Sequence, residues 1–423
     1  MARAANEPLR PRLGFLLANP PPSPRIACVL SRSLPHNEAD AHQAVRAADA
    51  LARAGIDITL LIPGTWRRTP MRTDEVRDAL SYFGAISPLL RTQLLPPTAG
   101  GSALLERLTN GRVREIRLLF DLGIALPLVG AIRRGRFDLV YARRWLPVAI
   151  ASRLDVSAVY DTHSAREAAP LLRCAERGRL AGVIAHSHLA ARELIAAGVS
   201  ADVVRVCYNG YSPQDLEPRL TREAARDVLG LPHGVPVVVY TGRVKRAKAP
   251  AAILEVAART PGVQYVLVGW TSPTEARALT SVCAAARLDN VRVDPWCPPT
   301  QLAPYLHAAD ILIVPPSAAP LGSRRTILPL KTFLYLAAGR AIVAPALEDL
   351  CEVLEHNRNA VLVPPDDAVA CAAAITSLLG DPERMRALGR QAAAAAAAYT
   401  WDRRATAVAA FLTERCQCLP SRH

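Results

Sequence analysis

Lysine is rare in this 423-residue chain: of 51 basic residues only Lys245, Lys248 and Lys331 are lysines. The rest are arginines and alanine is abundant, a bias that a GC-rich coding sequence produces by itself. Such drift removes lysine wherever arginine serves, so the survivors are candidates for work that needs a compact ammonium. Two of them share a loop. The apolar run Val235–Tyr240 predicts a buried strand, Gly242-Arg243 follow it directly, and Lys248 precedes a helix expected over Pro250–Ala258. A Gly for close approach, an Arg fork and a Lys point charge between strand and helix suit a diphosphate. A solvated basic turn is the other reading. Lys331 opens a second expected helix, Leu330–Ala338, with Pro329 in its first turn and Gly339 at its end. Its free N–H groups and dipole favour an anion. An ordinary loop feeding a buried helix fits the same residues.

The first half of the chain offers a histidine. Tyr160-Asp161-Thr162-His163 ends an expected strand, and a His at a strand's carboxyl end can bond a substrate hydroxyl. A satisfied structural His is the alternative. His186 and His188 follow the next strand, but this His-x-His has no third ligand close in sequence, so no metal is expected. Asn37, Glu38, Asp40 and His42 fall between the first strand and the first helix. They read equally as a substrate loop and as a loop in which Asp40 caps the helix.

These residues need a frame. Strands are predicted at Ile26–Leu30, Ile56–Ile62, Asp138–Tyr141, Ala158–Tyr160, Gly182–Ala185 and Val203–Cys207, with helices over His42–Ala54 and Leu189–Ala197. A polar connector over 211–234 includes a short helix at Thr221–Leu229. The pattern then restarts with Val235–Tyr240, Gln264–Val268, Val291–Val293, Ile311–Val314 and Ala341–Ala344, and helices close the chain over Asp367–Leu379 and Glu383–Ala398. Strands alternating with helices predict parallel α/β sheets, two of them, with ligands beyond the carboxyl ends of the strands.

Composition narrows the function. With 51% hydrophobic residues the chain is not a disordered one. Its apolar runs are broken well short of the roughly 20 residues that span a bilayer. The net charge is +14, yet no basic stripe is interleaved with aromatics, so no nucleic acid is expected. The excess is uneven: residues 1–210 hold 28 basic and 18 acidic residues, the remainder 23 and 19. The first half is the better candidate for meeting an anion. Nine scattered cysteines without C-x-x-C spacing read as reduced thiols of a cytoplasmic protein. Leu13–Ala18 is too short for a secretory core, and residues 1–24 read as a loose tail.

Over roughly residues 25–412 the chain resembles glycosyltransferase family 4 of the GT-B superfamily, the retaining enzymes that use nucleotide sugars. The resemblance rests on Val183-Ile184-Ala185-His186-Ser187, Tyr208-Asn209-Gly210-Tyr211, Tyr240-Thr241-Gly242-Arg243 with Lys248, Ala309-Asp310-Ile311 through Pro316-Ser317, Pro329-Leu330-Lys331 through Gly339, and Tyr399-Thr400-Trp401. Pro35-His36-Asn37-Glu38-Ala39 with His42 resembles a subgroup's N-terminal loop. The resemblance implies two Rossmann-like parallel-sheet domains facing a cleft: an acceptor domain over 25–212, a donor domain over 213–398, and a final helix over 399–423 returning toward the first. It implies that Gly242, Arg243, Lys248, Thr326, Ile327, Leu328, Lys331 and Leu334 meet the donor, that Asn37, Glu38 and His42 lie on the acceptor side, and that His163 is the cleft histidine. Catalysis would then rest on His163, Arg243 and Lys248, with no metal and no cofactor beyond the donor.

One departure stands out. The family carries a Glu, seven residues, and a second Glu; here Thr326 and Leu334 occupy those positions. Loss of the ribose carboxylate removes a charge-assisted bond of roughly 1.5–3 kcal/mol. The expected activity is sugar transfer from a nucleotide diphosphate sugar to a saccharide or lipid-linked acceptor in envelope or extracellular polysaccharide synthesis. The arginines of Glu106–Phe137 add an expected peripheral contact with an anionic membrane; buried helices with arginine flanks are the other reading. A non-catalytic GT-B scaffold, a sugar-nucleotide epimerase and a phosphorylase are the alternatives.

Overall fold

The computed structural model describes residues 24–31, 34, 39–64, 73–96, 117–242, 250–270, 272–316 and 328–417. The first half runs β1 (Arg25–Val29), α1 (Ala39–Arg53), β2 (Asp57–Ile62), α2 (Thr73–Tyr82), β3 (Arg91–Leu94), α3 (Arg117–Gly135), β4 (Leu139–Ala142), α4 (Trp145–Arg153), β5 (Ser157–Thr162), α5 (Ala168–Ala175), β6 (Leu180–Ala185), α6 (His188–Ala196) and β7 (Val204–Val206). The second runs α7 (Arg222–Leu229), β8 (Val237–Thr241), α8 (Pro250–Arg259), β9 (Gln264–Trp270), α9 (Pro273–Ala285), β10 (Val291–Pro295), α10 (Ala303–Ala308), β11 (Ile311–Ile313), α11 (Leu330–Ala338), β12 (Ala341–Pro345), β13 (Val361–Val363), α12 (Ala368–Leu379), α13 (Pro382–Ala396) and α14 (Trp401–Gln417).

All strand pairs are parallel. The sheet orders are β3-β2-β1-β4-β5-β6-β7 and β10-β9-β8-β11-β12-β13. The central strands are short runs of Val, Ile, Leu and Ala, buried along their length as strands covered on both faces must be. Each order reverses once, between β1 and β4 and between β8 and β11. A crevice opens at such a reversal, outside the carboxyl ends of the strands.

The last helix belongs to the first sheet's core. Trp401, Ala405, Val408, Phe411 and Leu412 pack with Ile26, Leu60, Val159 and Ile184. A Cβ on Gly182 would meet the Phe411 ring at 2.5 Å, so the absent side chain is what lets α14 lie against β6. The chain therefore crosses between the sheets twice, and the crossings touch. The Tyr211 N–H donates to the Tyr399 carbonyl (3.1 Å) and the Trp401 N–H to the Tyr211 carbonyl (3.0 Å). Gly210 permits this approach, since a Cβ there would sit 2.6 Å from the Thr400 carbonyl carbon.

Two local expectations change. Asp40 is the second residue of α1 rather than its cap, because its carboxylate turns outward to Arg143 (2.7 Å) and Ser31. Pro329 stands one residue before the first turn of α11, in extended backbone (φ −69°, ψ 139°), and Leu330 begins the helix. Gly339 closes that helix in the left-handed region (φ +67°), as its position suggested. Among the described residues no helix is long and apolar enough to cross a membrane.

Candidate active site

The carboxyl ends of the two sheets face one another. The loop after β12 meets the start of α6, which follows β6. Glu352 accepts from the His188 and Leu189 N–H groups (2.7 and 2.8 Å) and from the Tyr208 hydroxyl (2.8 Å). A carboxylate on the open N–H groups of a helix start is well matched to the helix dipole. Beside it Arg192 pairs with Glu348. On the opposite flank Tyr82, at the end of α2, stacks on Trp296 beyond β10 with ring centroids 5.3 Å apart. Arg46 of α1 reaches Ser212 (3.0 Å) and Asp215 in the connector.

On the first sheet the chemistry gathers around Asp161, at the end of β5 and fully buried. Its carboxylate accepts from Arg404 of α14 (2.8 Å), His186 Nε2 (2.5 Å), Gln43 (3.1 Å) and Tyr141. Burial by itself would raise the Asp161 pKa; Arg404, His186 and Arg143 outweigh it and hold the carboxyl well below the ordinary range. The second His186 nitrogen, Nδ1, faces the Asn209 amide at 3.0 Å. Both ring nitrogens are thus engaged, and His186 is structural rather than a metal ligand. Among the described residues no group of three or more His, Cys, Asp or Glu is placed to hold a metal ion.

His163 lies two residues beyond Asp161, its ring centroid 6.1 Å from that of His186. Burial, then the nearby Arg143 and His186, push its pKa down to about 3, against the opposing pull of Asp40. It is a neutral imidazole at physiological pH, able to bond a hydroxyl but not to act as an acid. His42, on α1, stacks on Phe83 at 6.0 Å and is pushed down to about 3 by burial and Arg46. Its Nε2 is buried without a partner among the described residues. Asn37 and Glu38 lie outside the described residues.

On the second sheet β8 ends at Thr241, and Gly242 follows with φ +130°, a conformation side chains resist. Lys331 packs against it: a Cβ on Gly242 would lie 2.5 Å from the ammonium. That ammonium sits 3.9 Å from the centre of the Tyr240 ring, a cation–π contact. Burial lowers its pKa to about 7. Among the described residues it has no carboxylate partner. The Tyr335 hydroxyl accepts from the Thr241 N–H (2.7 Å), which ties α11 to the end of β8. Leu328 and Leu334 are buried in the apolar core beside Phe333 and Leu336. Arg243, Lys248, Thr326 and Ile327 lie outside the described residues.

Sequence patterns pass over several residues here. Asp349, beyond β12, has one carboxylate oxygen buried without a partner, and burial raises its pKa to about 6. The acidic run Glu348-Asp349 with Glu352, after a strand in an arginine-rich chain, was its available signal. Nothing local marks Arg404, because its partner lies 243 residues away.

The neutral histidines have a thermodynamic consequence. A histidine whose folded pKa is lowered makes the unfolded chain bind more protons below about pH 6.5, so stability falls as pH falls. His42 and His163 should each cost about 1 kcal/mol on going from pH 7.5 to 5.5. Thermal unfolding at the two pH values should show the drop, and a His42→Gln, His163→Gln variant should lose most of it. An equal drop in that variant would contradict the assignment.

Two family profiles cover most of this frame. The one described as "Glycosyltransferase Family 4" matches residues 41–215, and the one described as "Glycosyl transferases group 1" matches residues 235–381. The chain belongs to glycosyltransferase family 4. A D-inositol 3-phosphate glycosyltransferase of Segniliparus rotundus is 34% identical over 188 residues, 43% of this chain and 40% of that one. One from Catenulispora acidiphila is 28% identical over 63% of this chain and 70% of its own length. The chain thus spans less than half of the first relative. Among solved structures, sucrose-phosphate synthase from Thermosynechococcus elongatus superposes with a TM-score of 0.74 at 21% identity, covering 92% of this chain and 98% of that one. Anabaena HepE in complex with UDP-glucose gives 0.66 at 15%, covering 92% and 100%. At these identities the structures speak to the fold, two sheets facing a cleft as GT-B requires.

Proposed function

We propose that this family 4 chain is a retaining glycosyltransferase that moves a sugar from a nucleotide diphosphate sugar to a saccharide or lipid-linked acceptor, in envelope or extracellular polysaccharide synthesis. The observation that carries the reading is Lys331. A buried ammonium with a lowered pKa is costly, and an anion beside Gly242 would relieve that cost. A diphosphate at the β8 and β11 switch point is such an anion, with Arg243 and Lys248 on the loop that follows Gly242.

In this mechanism the acceptor hydroxyl attacks the face that the diphosphate leaves. The new glycosidic bond forms as the bond to the diphosphate oxygen breaks, and that oxygen takes the acceptor proton. Arg243, Lys248 and Lys331 stabilise the charge growing on the leaving group. Neutral His163 orients the sugar through a hydrogen bond. The test is the anomeric configuration of the product, read by NMR from an α-linked donor sugar. An α-linked product is expected, and a β-linked product would overturn the same-face step.

We also propose that the chain works on the cytoplasmic face of the membrane. Leu126 of α3 is 80% exposed, and Arg133 and Arg134 fill that helix's last turn. Arg107, Arg112 and Arg114, three further cations of this stretch, lie outside the described residues. Flotation with phosphatidylglycerol vesicles should exceed flotation with phosphatidylcholine; equal flotation would remove the membrane reading.

A further inference from the structure

We propose that Glu352 is a positioning residue for transfer. It clasps the crevice of His163 on the first sheet to the site of Lys331 on the second, so that His163 meets the sugar whose diphosphate Lys331 holds. This rests on the glycosyl-transfer reading above and names a residue outside its chemistry. Both oxygens of the Glu352 carboxylate are engaged across the cleft. One accepts from the His188 N–H (2.7 Å) and the Tyr208 hydroxyl (2.8 Å), the other from the Leu189 N–H (2.8 Å).

The start of α6 is incomplete without this carboxylate. Ser187 takes the Ala190 N–H on its hydroxyl (3.0 Å) and the Ala191 N–H on its carbonyl (3.1 Å). The His188 and Leu189 N–H groups are left over, and these are the two that Glu352 takes. An anion there gains charge-assisted bonds and a favourable place on the helix dipole. Such a contact fixes both direction and distance. The neighbouring pair does not, because the Arg192 and Glu348 side chains are 58% and 47% exposed.

On the first sheet both arms of the clasp flank His186. His188 lies just beyond it, and Tyr208 precedes Asn209, whose amide faces His186 Nδ1 at 3.0 Å. His186 Nε2 bonds Asp161 (2.5 Å), and the His186 N–H donates to the carbonyl of Thr162 (3.0 Å), the residue before His163. On the second sheet Leu350 and Val353, on either side of Glu352, are buried in one core with Phe333 and Tyr335 of α11. That helix carries Lys331, and its Tyr335 hydroxyl holds the end of β8 at Thr241 (2.7 Å). One carboxylate thus joins two packed paths, the first ending at His163 and the second at Lys331. Asp349, between Glu348 and Glu352, is buried with one oxygen unpartnered among the described residues, a cost that a firmly held loop sustains. A misplacement of about 1 Å between reacting groups can cost about 100-fold in rate, even when its source is remote.

The test compares the full-length chain with its Glu352→Ala, Glu352→Gln and Arg192→Ala variants, well below their melting transitions. Hydrogen exchange read by mass spectrometry follows the clasp itself. In Glu352→Ala, exchange is expected to quicken about tenfold or more at the start of α6 and also over residues 161–164. Turnover is read as nucleotide released from UDP-glucose, GDP-mannose and ADP-glucose, with water as the acceptor. Glu352→Ala should lower kcat about 10- to 100-fold while KM for the donor stays within about threefold. Glu352→Gln keeps an acceptor oxygen for the helix and should restore most of both losses. Arg192→Ala, at the same interface, should match the unaltered chain within about twofold. Quickening confined to α6, or a kcat in Glu352→Ala within about threefold of the unaltered chain, would make Glu352 a helix cap only and overturn the proposal. An equal fall in Arg192→Ala would also overturn it, since any loosening of the interface would then suffice. Release of no nucleotide by the unaltered chain counts against the transferase reading alone, because the exchange over residues 161–164 is read without a donor.

Discussion

Arg404→Met is expected to destabilise the protein by about 3–5 kcal/mol, measured as a fall in the urea midpoint at unchanged slope. The Arg404 and Asp161 side chains are 2% and 0% exposed, with 2.8 Å between the charged atoms. Removing the guanidinium leaves a carboxylate in the interior whose remaining hydrogen-bond donors are neutral, with the Arg143 charge still acting on it. Asp161→Asn in the same chain should recover part of the loss, because the uncompensated charge is gone. The sign with pH follows from the lowered carboxyl: its contribution is fully present above the ordinary Asp value and is lost as pH falls through the folded one. The pair also links function to fold. Arg404 sits on the helix that follows the second crossing, and Asp161 lies two residues from His163. A variant that unfolds with less than about 1 kcal/mol of loss would show the pair to be idle.

Lys331→Met is expected to have the opposite pattern, a fold at least as stable and a donor site that no longer works. The ammonium lies over Tyr240 at 3.9 Å, and its pKa is lowered to about 7 by burial. The unfolded chain therefore holds more protons between about pH 7 and 10, and the lysine contributes nothing favourable there. Methionine fills the same space without the desolvation cost and should raise stability by about 1–3 kcal/mol. Binding is another matter. An anion beside Gly242 stabilises the charged form, so donor affinity should be highest below pH 7 and fall as pH rises above it. The variant should lose about 100-fold in affinity together with that pH dependence. An unchanged affinity would remove Lys331 from the donor site.

Much of this was legible in the residues. Buried strands such as Val237–Thr241 and Ile311–Ile313 are short runs led by Val, Ile and Leu, and their order with intervening helices marks a parallel sheet. β3 was not visible, because Arg91-Thr92-Gln93-Leu94 is an edge strand with little to bury. β13 is three residues long and lacks the length for a pattern. Lys331 stood out because its type breaks the chain's arginine habit. The Asp161 centre did not. Its partners come from α1, β4, the residue that follows β6, and α14, and only the folded sheet brings them together. The Glu352 contact with α6 spans more than 160 residues and carries no periodicity.

The central claim is a working nucleotide-sugar site on the second sheet despite Thr326 and Leu334 in place of the family's Glu pair. It is tested most directly by thermal-shift binding of UDP-, GDP- and ADP-sugars to the purified full-length chain, with Arg243→Ala measured beside it. The account predicts a rise in melting temperature with one nucleotide class and its loss in the variant. No rise with any of the three, or a rise that Arg243→Ala retains in full, would contradict it.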